Sequence, residues 1–299
     1  MNFILNLMMI QSSSAAIIGD CVGSFNEFNT GKKIRRIDIE TLKAEKNSFD
    51  HDYGYFTDDT TCALITMNNY QDGKFDIAGI KRDIRRWVNR GAFSSTGECF
   101  DIGTSTYNAI MRDKPITDAS KGCGNGALMR FYPVAFATYG KSKEEIESVV
   151  RELTEITHPI EFVVEYSLLY VRIMHRIIDG ASKEQLQNEF GLFFDNADCK
   201  PTGYVKDSLT IAWRTFMLFD KKQNGIFYIA NLGYDSDTVA SIYGSMIGAY
   251  SVLHHSGDFD PWLHENIKRP DLINSISDKF MEQVLGINNE QSSESKIAP

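Results

Sequence analysis

Apolar residues recur at three- and four-residue intervals along most of this chain, whereas strict apolar/polar alternation is scarce. The pattern predicts helices over 76–88 (DIAGIKRDIRRWV), 144–156, 160–178 (IEFVVEYSLLYVRIMHRII), 205–219 (VKDSLTIAWRTFMLF) and 238–253 (TVASIYGSMIGAYSVL). Ser142-Lys143-Glu144-Glu145 and Ser182-Lys183-Glu184-Gln185 carry the capping-box spacing that opens helices. In the last long helix Ala240, Gly244, Ser245, Gly248 and Ala249 form a small-residue stripe, which lets a neighbouring backbone come close. The fold class expected is all-α. No internal repeat or linker divides the chain, so one compact many-helix domain is expected over 1–287, followed by a disordered polar tail over 288–299.

The opening apolar run, Met1 to Ile10, leads into Ser12-Ser13-Ser14-Ala15-Ala16 but has no positive n-region. It is expected to start a buried first helix rather than a secretory leader, and no stretch is expected to reach the roughly 20 apolar residues of a membrane span. Five cysteines, odd in number and without C-x-x-C spacing, indicate neither a disulfide framework nor a zinc site. Reduced thiols fit a cytoplasmic location. A net charge of −9 argues against nucleic acid or an anionic membrane as a partner. The basic runs at 32–36 (KKIRR) and 81–86 (KRDIRR) are expected to be solvated faces.

The charge that changes the picture is acidic. Thr57-Asp58-Asp59-Thr60 and Asp235-Ser236-Asp237-Thr238 lie far apart, and each opens a predicted helix. Either cluster alone reads as an N-cap with favourable dipole charges. Brought together, they would repel unless a hard cation such as Mg²⁺ or Mn²⁺ compensated them. Glu27, after the glycine-containing Gly19–Ser24 stretch, adds a third acidic loop, so a binuclear site is expected. Asp101 sits beside Phe100 and Ile102, and Gly122-Cys123-Gly124-Asn125-Gly126 is a turn-like segment whose N–H groups would be open to an anion. The six histidines show no metal-binding spacing.

Six segments, AIIGDCVGSFNEF (16–28), FTDDTTCAL (56–64), CFDIGTST (99–106), GNGALMRFYPVAF (124–136), THP (157–159) and NLGYDSDTVASIYGSMIGAY (231–250), together resemble the ADP-ribosylglycohydrolase family, in its order. The resemblance implies an all-α fold around two Mg²⁺ or Mn²⁺ ions and hydrolysis of ADP-ribose from a modified side chain. It assigns Thr57, Asp58, Asp59, Asp235, Asp237 and Thr238 to the metals, and Glu27 and Asp101 as alternative acid/base groups. It also assigns Gly122, Cys123, Gly124, Asn125 and Gly126 to the diphosphate and His158 to the bound ADP-ribose.

The Asp101-Ile102-Gly103 match to the nitrogenase-reactivating branch favours ADP-ribosyl-arginine as substrate, with ADP-ribosyl-serine as the alternative linkage. Two departures stand out: Tyr234 precedes Asp235 where many members have glycine or aspartate, which would narrow the target side of the cleft, and Lys121 and Cys123 flank the phosphate loop, where Lys121 would add charge. An ADP-ribosylated protein is the expected partner and a monomer the expected state. The rivals are a non-catalytic ADP-ribose-binding module and a phosphohydrolase with His-Asp ligands, for which the histidine pattern is wrong.

Overall fold

The computed structural model describes residues 2–194 and 199–286, so the tail expected from 288 lies outside the described residues. Among them run fifteen α-helices. The first seven are α1 (Asn2–Gly23), α2 (Ile39–Ala44), α3 (Asp58–Asn68), α4 (Ile77–Arg90), α5 (Thr104–Met111), α6 (Ala119–Gly122) and α7 (Tyr132–Thr138). They are followed by α8 (Lys143–Glu155), α9 (Glu161–Ile178), α10 (Lys183–Phe190), α11 (Val205–Leu218), α12 (Lys222–Ala230), α13 (Ser236–His254), α14 (Pro261–Glu265) and α15 (Pro270–Leu285). A two-residue hairpin, β1 (Tyr70–Gln71) and β2 (Lys74–Phe75), is the sole sheet among the described residues. The predicted helices correspond to α4, α8, α9, α11 and α13, and the capping boxes at Ser142 and Ser182 are both formed.

The expected close approach falls between α13 and α1. A Cβ added to Gly244 would lie 2.2 Å from the Ala15 carbonyl oxygen, and one on Gly19 would lie 2.2 Å from that of Ala240. A side chain larger than hydrogen is therefore excluded at Gly19 and Gly244, and the two helices run antiparallel with their backbones in contact. At its end, the Gly23 Cα faces Ser236 and Asp237 across the same seam. The C-terminus of α1 is thus pinned to the N-terminus of α13, which is where the second acidic cluster begins.

With 22 residues and a hydropathy of 1.2, α1 is long and apolar enough to cross a membrane by length and composition, contrary to the expectation that no stretch reaches that level. Its second half, Ala15 to Gly23, is buried throughout. α13 covers it most extensively, with α12, α3, α7 and α15 around it. In that half the apolar character fills a core, whereas Phe3, Ile4 and Ile10 of the first half are exposed.

The turn after α1 is braced by polar contacts. Asn26 donates to the carbonyls of Arg35 (2.7 Å) and Ala230 (2.9 Å), and its side-chain oxygen accepts from the Arg35 N–H. The Arg35 guanidinium donates to the Phe25 carbonyl and pairs with Glu45. One member of the first basic run is therefore built into the scaffold of the Glu27 turn instead of lying on a solvated face; the adjoining Lys32 and Lys33 are exposed, as expected. All five cysteines are unpaired thiols.

Candidate active site

The two acidic clusters meet. Oxygen atoms of Asp20, Asp59 and Asp237 lie within 4.8 Å of one another, as do those of Glu27, Asp235 and Asp237, so Asp237 belongs to both triads. Among the described residues neither triad contains a histidine. The N-capping explanation fails for both clusters: Thr57 caps α3 and Asp235 caps α13 without any side-chain cap hydrogen bond. Elsewhere in the same protein Asp38, Asp76, Asp118 and Asp260 do cap their helices through the side chain. The acidic residues at the site converge on each other across the two clusters.

Asp20 organises the first cluster, and the sequence reading passed over it. Its carboxylate accepts from the N–H groups of Thr57 (2.9 Å) and Thr60 (3.1 Å) and from the hydroxyls of Thr57 (2.9 Å) and Thr60 (2.5 Å). These donors fold the 57–60 turn around α1 and aim Asp58 and Asp59 into the site. The overlooked signal was an acidic residue at the centre of the apolar run Ala15–Val22, which burial makes costly unless donors surround it. Asp20→Ala is expected to destabilise the fold by roughly 3 kcal/mol, since two buried N–H groups lose their acceptor; urea denaturation checks it.

On the other side, Asn125 donates to Asp235 (2.6 Å) and to the Ser208 hydroxyl (2.9 Å), joining the glycine segment to α13 and α11. Thr238 donates to Asp59 (3.2 Å) across the two clusters. Buried oxygens of Glu27, Asp59 and Asp237 nevertheless lack a hydrogen-bond partner, and among the described residues no ion pair reaches any carboxylate of the triads. Burial, and next the charge of Asp237 for Glu27 and Asp59 or of Asp235 for Asp237, pushes these carboxyls well above the usual range. Asp58 is raised by burial and then by Asp101, while Asp101 is pushed up to about 10 by burial and then by Asp237. Orphaned carboxylate oxygens without a cationic partner fit a divalent metal, which replaces protons at such a site.

These shifts set a pH dependence. A carboxyl whose folded pKa is raised contributes stability below its unfolded value, near 4, and that stability is lost as pH rises toward the folded value. His158 works in the opposite sense: burial and then Arg130 depress it to about 3, so its contribution is complete above roughly 6.5 and lost on acidification. Between pH 6.5 and 9 the carboxyls dominate. Chelated protein is expected to melt at a lower temperature at pH 9 than at pH 6.5, and added divalent cation to raise the melting temperature more at pH 9; thermal scans with and without chelator check both.

The triads form one end of a cleft of about 620 Å³. Its walls carry Glu27, Phe28, Asp58, Asp101, the Gly103–Thr106 start of α5, Gly124, Asn125, Gly126, His158, Tyr234, Asp235, Asp237 and Thr238, and among the described residues no lysine or arginine. Thr57 and Asp59 lie buried at the floor. Three residues expected on the anion side are elsewhere. Lys121 is exposed and pairs with Asp118 (3.5 Å), Gly122 packs on Ile116 and Ile160, and the Cys123 thiol donates to the Ala119 carbonyl.

The glycine segment is also less open than expected, because the Asn125 N–H donates to the Gly203 carbonyl in a single antiparallel bridge between Gly124 and Tyr204. Gly124 and Gly126 matter for a different reason. A Cβ at either would lie 3.2 or 3.0 Å from the His158 ring, so their small size lets the imidazole sit directly behind the loop. The His158 Nδ1 is 2.8 Å from the Thr157 hydroxyl, to which the buried Arg130 also donates.

A family model described as ADP-ribosylglycohydrolase matches residues 14–285. The chain belongs to the ADP-ribosylglycohydrolase family. It is 30% identical over 256 residues to ADP-ribosylarginine hydrolase Tri1 of Pseudomonas putida (strain GB-1), covering 78% of this chain and 67% of that protein. The Tri1 of Serratia proteamaculans (strain 568) is 27% identical, covering 88% and 76%. ADP-ribosyl-[dinitrogen reductase] glycohydrolase of Rhodospirillum rubrum is 25% identical, covering 78% and 81%. A solved ADP-ribosylglycohydrolase-related protein complex shares the fold, with a TM-score of 0.72 at 20% identity over 94% of this chain and 99% of that one.

Proposed function

We propose that this ADP-ribosylglycohydrolase is a glycosidase that releases ADP-ribose from mono-ADP-ribosylated arginine, an N-glycoside. The observation that carries the reading is the pair of carboxylate triads sharing Asp237 at the end of the cleft. Its relatives named for arginine hydrolysis favour that linkage over serine. Asp20, Asp58, Asp59, Asp235 and Asp237, with the hydroxyls of Thr57 and Thr238, would hold two divalent cations, Mg²⁺ or Mn²⁺, with oxygen ligands only. When bound, the cations would neutralise the carboxylates and polarise the sugar hydroxyls and the attacking water.

The protein's own groups divide the remaining work. With no lysine or arginine among the described wall residues, the diphosphate is held by neutral donors. The start of α5 brings the hydroxyls of Thr104, Ser105 and Thr106 and the positive end of a helix to the cleft, beside Gly126 and a neutral His158. Glu27 lies inside the second triad, close enough to share a cation, whereas Asp101 stands outside both. This supports Asp101 as the acid/base and Glu27 as a group that positions the reacting end. In the reaction the bond from the anomeric carbon to nitrogen breaks and the departing guanidine nitrogen takes the Asp101 proton. The water that bonds to the anomeric carbon returns a proton to the carboxylate.

Release of free ADP-ribose from arginine- and serine-modified peptides, with Mg²⁺, with Mn²⁺ and with chelator, tests the reading. Cation-dependent release from the arginine peptide is expected. Binding of ADP-ribose without release from either peptide would replace the hydrolase with a binding module.

A further inference from the structure

The mouth of the cleft holds a feature that metal binding and nucleotide binding leave unused. Phe28 and Tyr234 both line it, and both have left-handed backbones, φ 63° and 62°, which aromatic residues adopt at a cost of roughly 1–3 kcal/mol. The two strained turns are locked to each other: the Phe28 N–H donates to the Tyr234 carbonyl (2.6 Å) and the Tyr234 N–H to that of Asn29 (2.8 Å). Gly233, also left-handed, completes the lock, since a Cβ there would lie 2.4 Å from the Asn29 carbonyl oxygen. Glycine would satisfy the backbone at 28 and 234 more easily than the rings do.

The rings are not there to fill a core. Phe28 is 66% exposed. Its ring meets Phe49 edge to face at 5.9 Å, Phe49 meets Phe100 at 5.3 Å, and Phe100 is the residue before Asp101. An aromatic ridge therefore joins the turn bearing Glu27 to the loop bearing Asp101. Tyr234 already accepts a cation, with the Lys200 ammonium 5.4 Å from its ring centroid. A mouth with one exposed ring, Phe28, and one half-buried ring, Tyr234, above a floor of carboxylates is matched to a planar, weakly hydrated cation, as the guanidinium of arginine is. A serine O-glycoside offers neither plane nor charge to such a site.

We infer that Phe28 and Tyr234 form an aromatic clamp that grips the guanidinium of the modified arginine and selects it over uncharged leaving groups. The inference rests on the arginine reading proposed above. The rings contact the target side chain and leave the ADP-ribose half alone, so their removal separates two affinities that a structural defect would change together.

The test is the kinetics of Phe28→Gly and Tyr234→Gly on the arginine-modified peptide, with Phe28→Tyr and Tyr234→Phe beside them. Each glycine variant is expected to raise KM about tenfold. Inhibition by free ADP-ribose and the cation-induced rise in melting temperature should stay as in the wild type, and the melting temperature itself should hold or rise as backbone strain is relieved. The aromatic replacements should stay within about twofold of the wild-type KM, because the ring face is what they keep. Wild-type KM in both glycine variants would overturn the clamp, as would an equal loss of ADP-ribose inhibition. The wild type alone decides the underlying reading: release from the serine peptide and none from the arginine peptide would remove the arginine assignment, and the clamp with it, before any variant is compared.

Discussion

Asp237→Ala is expected to reduce ADP-ribose release by about a thousandfold or more, the equivalent of roughly 4 kcal/mol of lost transition-state stabilisation. Asp237 is the one carboxylate common to both triads, so its loss removes a ligand from each prospective cation position at once. A second readout separates this from simple unfolding. In the cation-free state Asp237 is buried with an unpartnered oxygen, against like charges from Asp235 and Asp20. Removing it relieves repulsion, so the chelated Asp237→Ala protein should melt no lower than chelated wild type while losing the rise that Mg²⁺ or Mn²⁺ produces. A variant that is inactive, stable and unresponsive to cations marks Asp237 as a metal ligand. One that keeps both its activity and its cation response would end the metal-site assignment.

Asp101→Asn is expected to slow turnover by about a hundredfold to ten-thousandfold, the range that a positioned proton donor supplies. Asp101 occupies a left-handed backbone conformation, φ 59°, just before α5, which aims its carboxyl along the cleft wall toward the triads without joining either. Burial, and then Asp237, hold the proton on it. Asparagine keeps the size and the αL tolerance of the residue while removing the transferable proton. The cation-induced melting shift should therefore survive, and kcat should fall with little change in KM. The alkaline limb of the wild-type pH–rate profile, where this acid deprotonates, should disappear. If Asp101→Asn instead abolishes the cation response, Asp101 is a ligand and Glu27 becomes the acid/base group.

The helical periodicity of α4, α8, α9 and α11 was legible because each helix buries a preferred face, and a buried face imposes its spacing on the residues that form it, whereas α13 is buried on every side from Ser236 to Tyr250. The small-residue stripe of α13 was legible for a related reason, since glycine at Gly244 and Gly248 is demanded by backbone contact. The acidic clusters were visible as unusual local charge. Whether they capped helices or faced each other was open from local sequence, because Thr57 and Asp235 have the identity of caps whichever way their side chains turn. The tertiary structure decides the matter by running α1 antiparallel to α13 and placing α3 against its C-terminal end, which brings residues about 180 positions apart within hydrogen-bond reach.

Asp20 escaped notice because its partners, Thr57 and Thr60, lie in another segment, and a buried acid has meaning only with its donors in view. The resemblance puts Lys121 and Cys123 at the diphosphate, but Lys121 in α6 is exposed and pairs with Asp118, and the thiol of Cys123, the C-cap of that helix, turns to the Ala119 carbonyl, away from the cleft. The left-handed turns at Phe28 and Tyr234 likewise follow from their mutual hydrogen bonds. The sequence by itself determined which segments are helical and where the chemistry-bearing oxygens sit along the chain, because burial period and side-chain identity are local. Which of those oxygens share a site, which groups only support it, and which rings stand at its mouth were decided by long-range packing, because electrostatic and hydrogen-bond partners are chosen by distance in space rather than by separation along the chain.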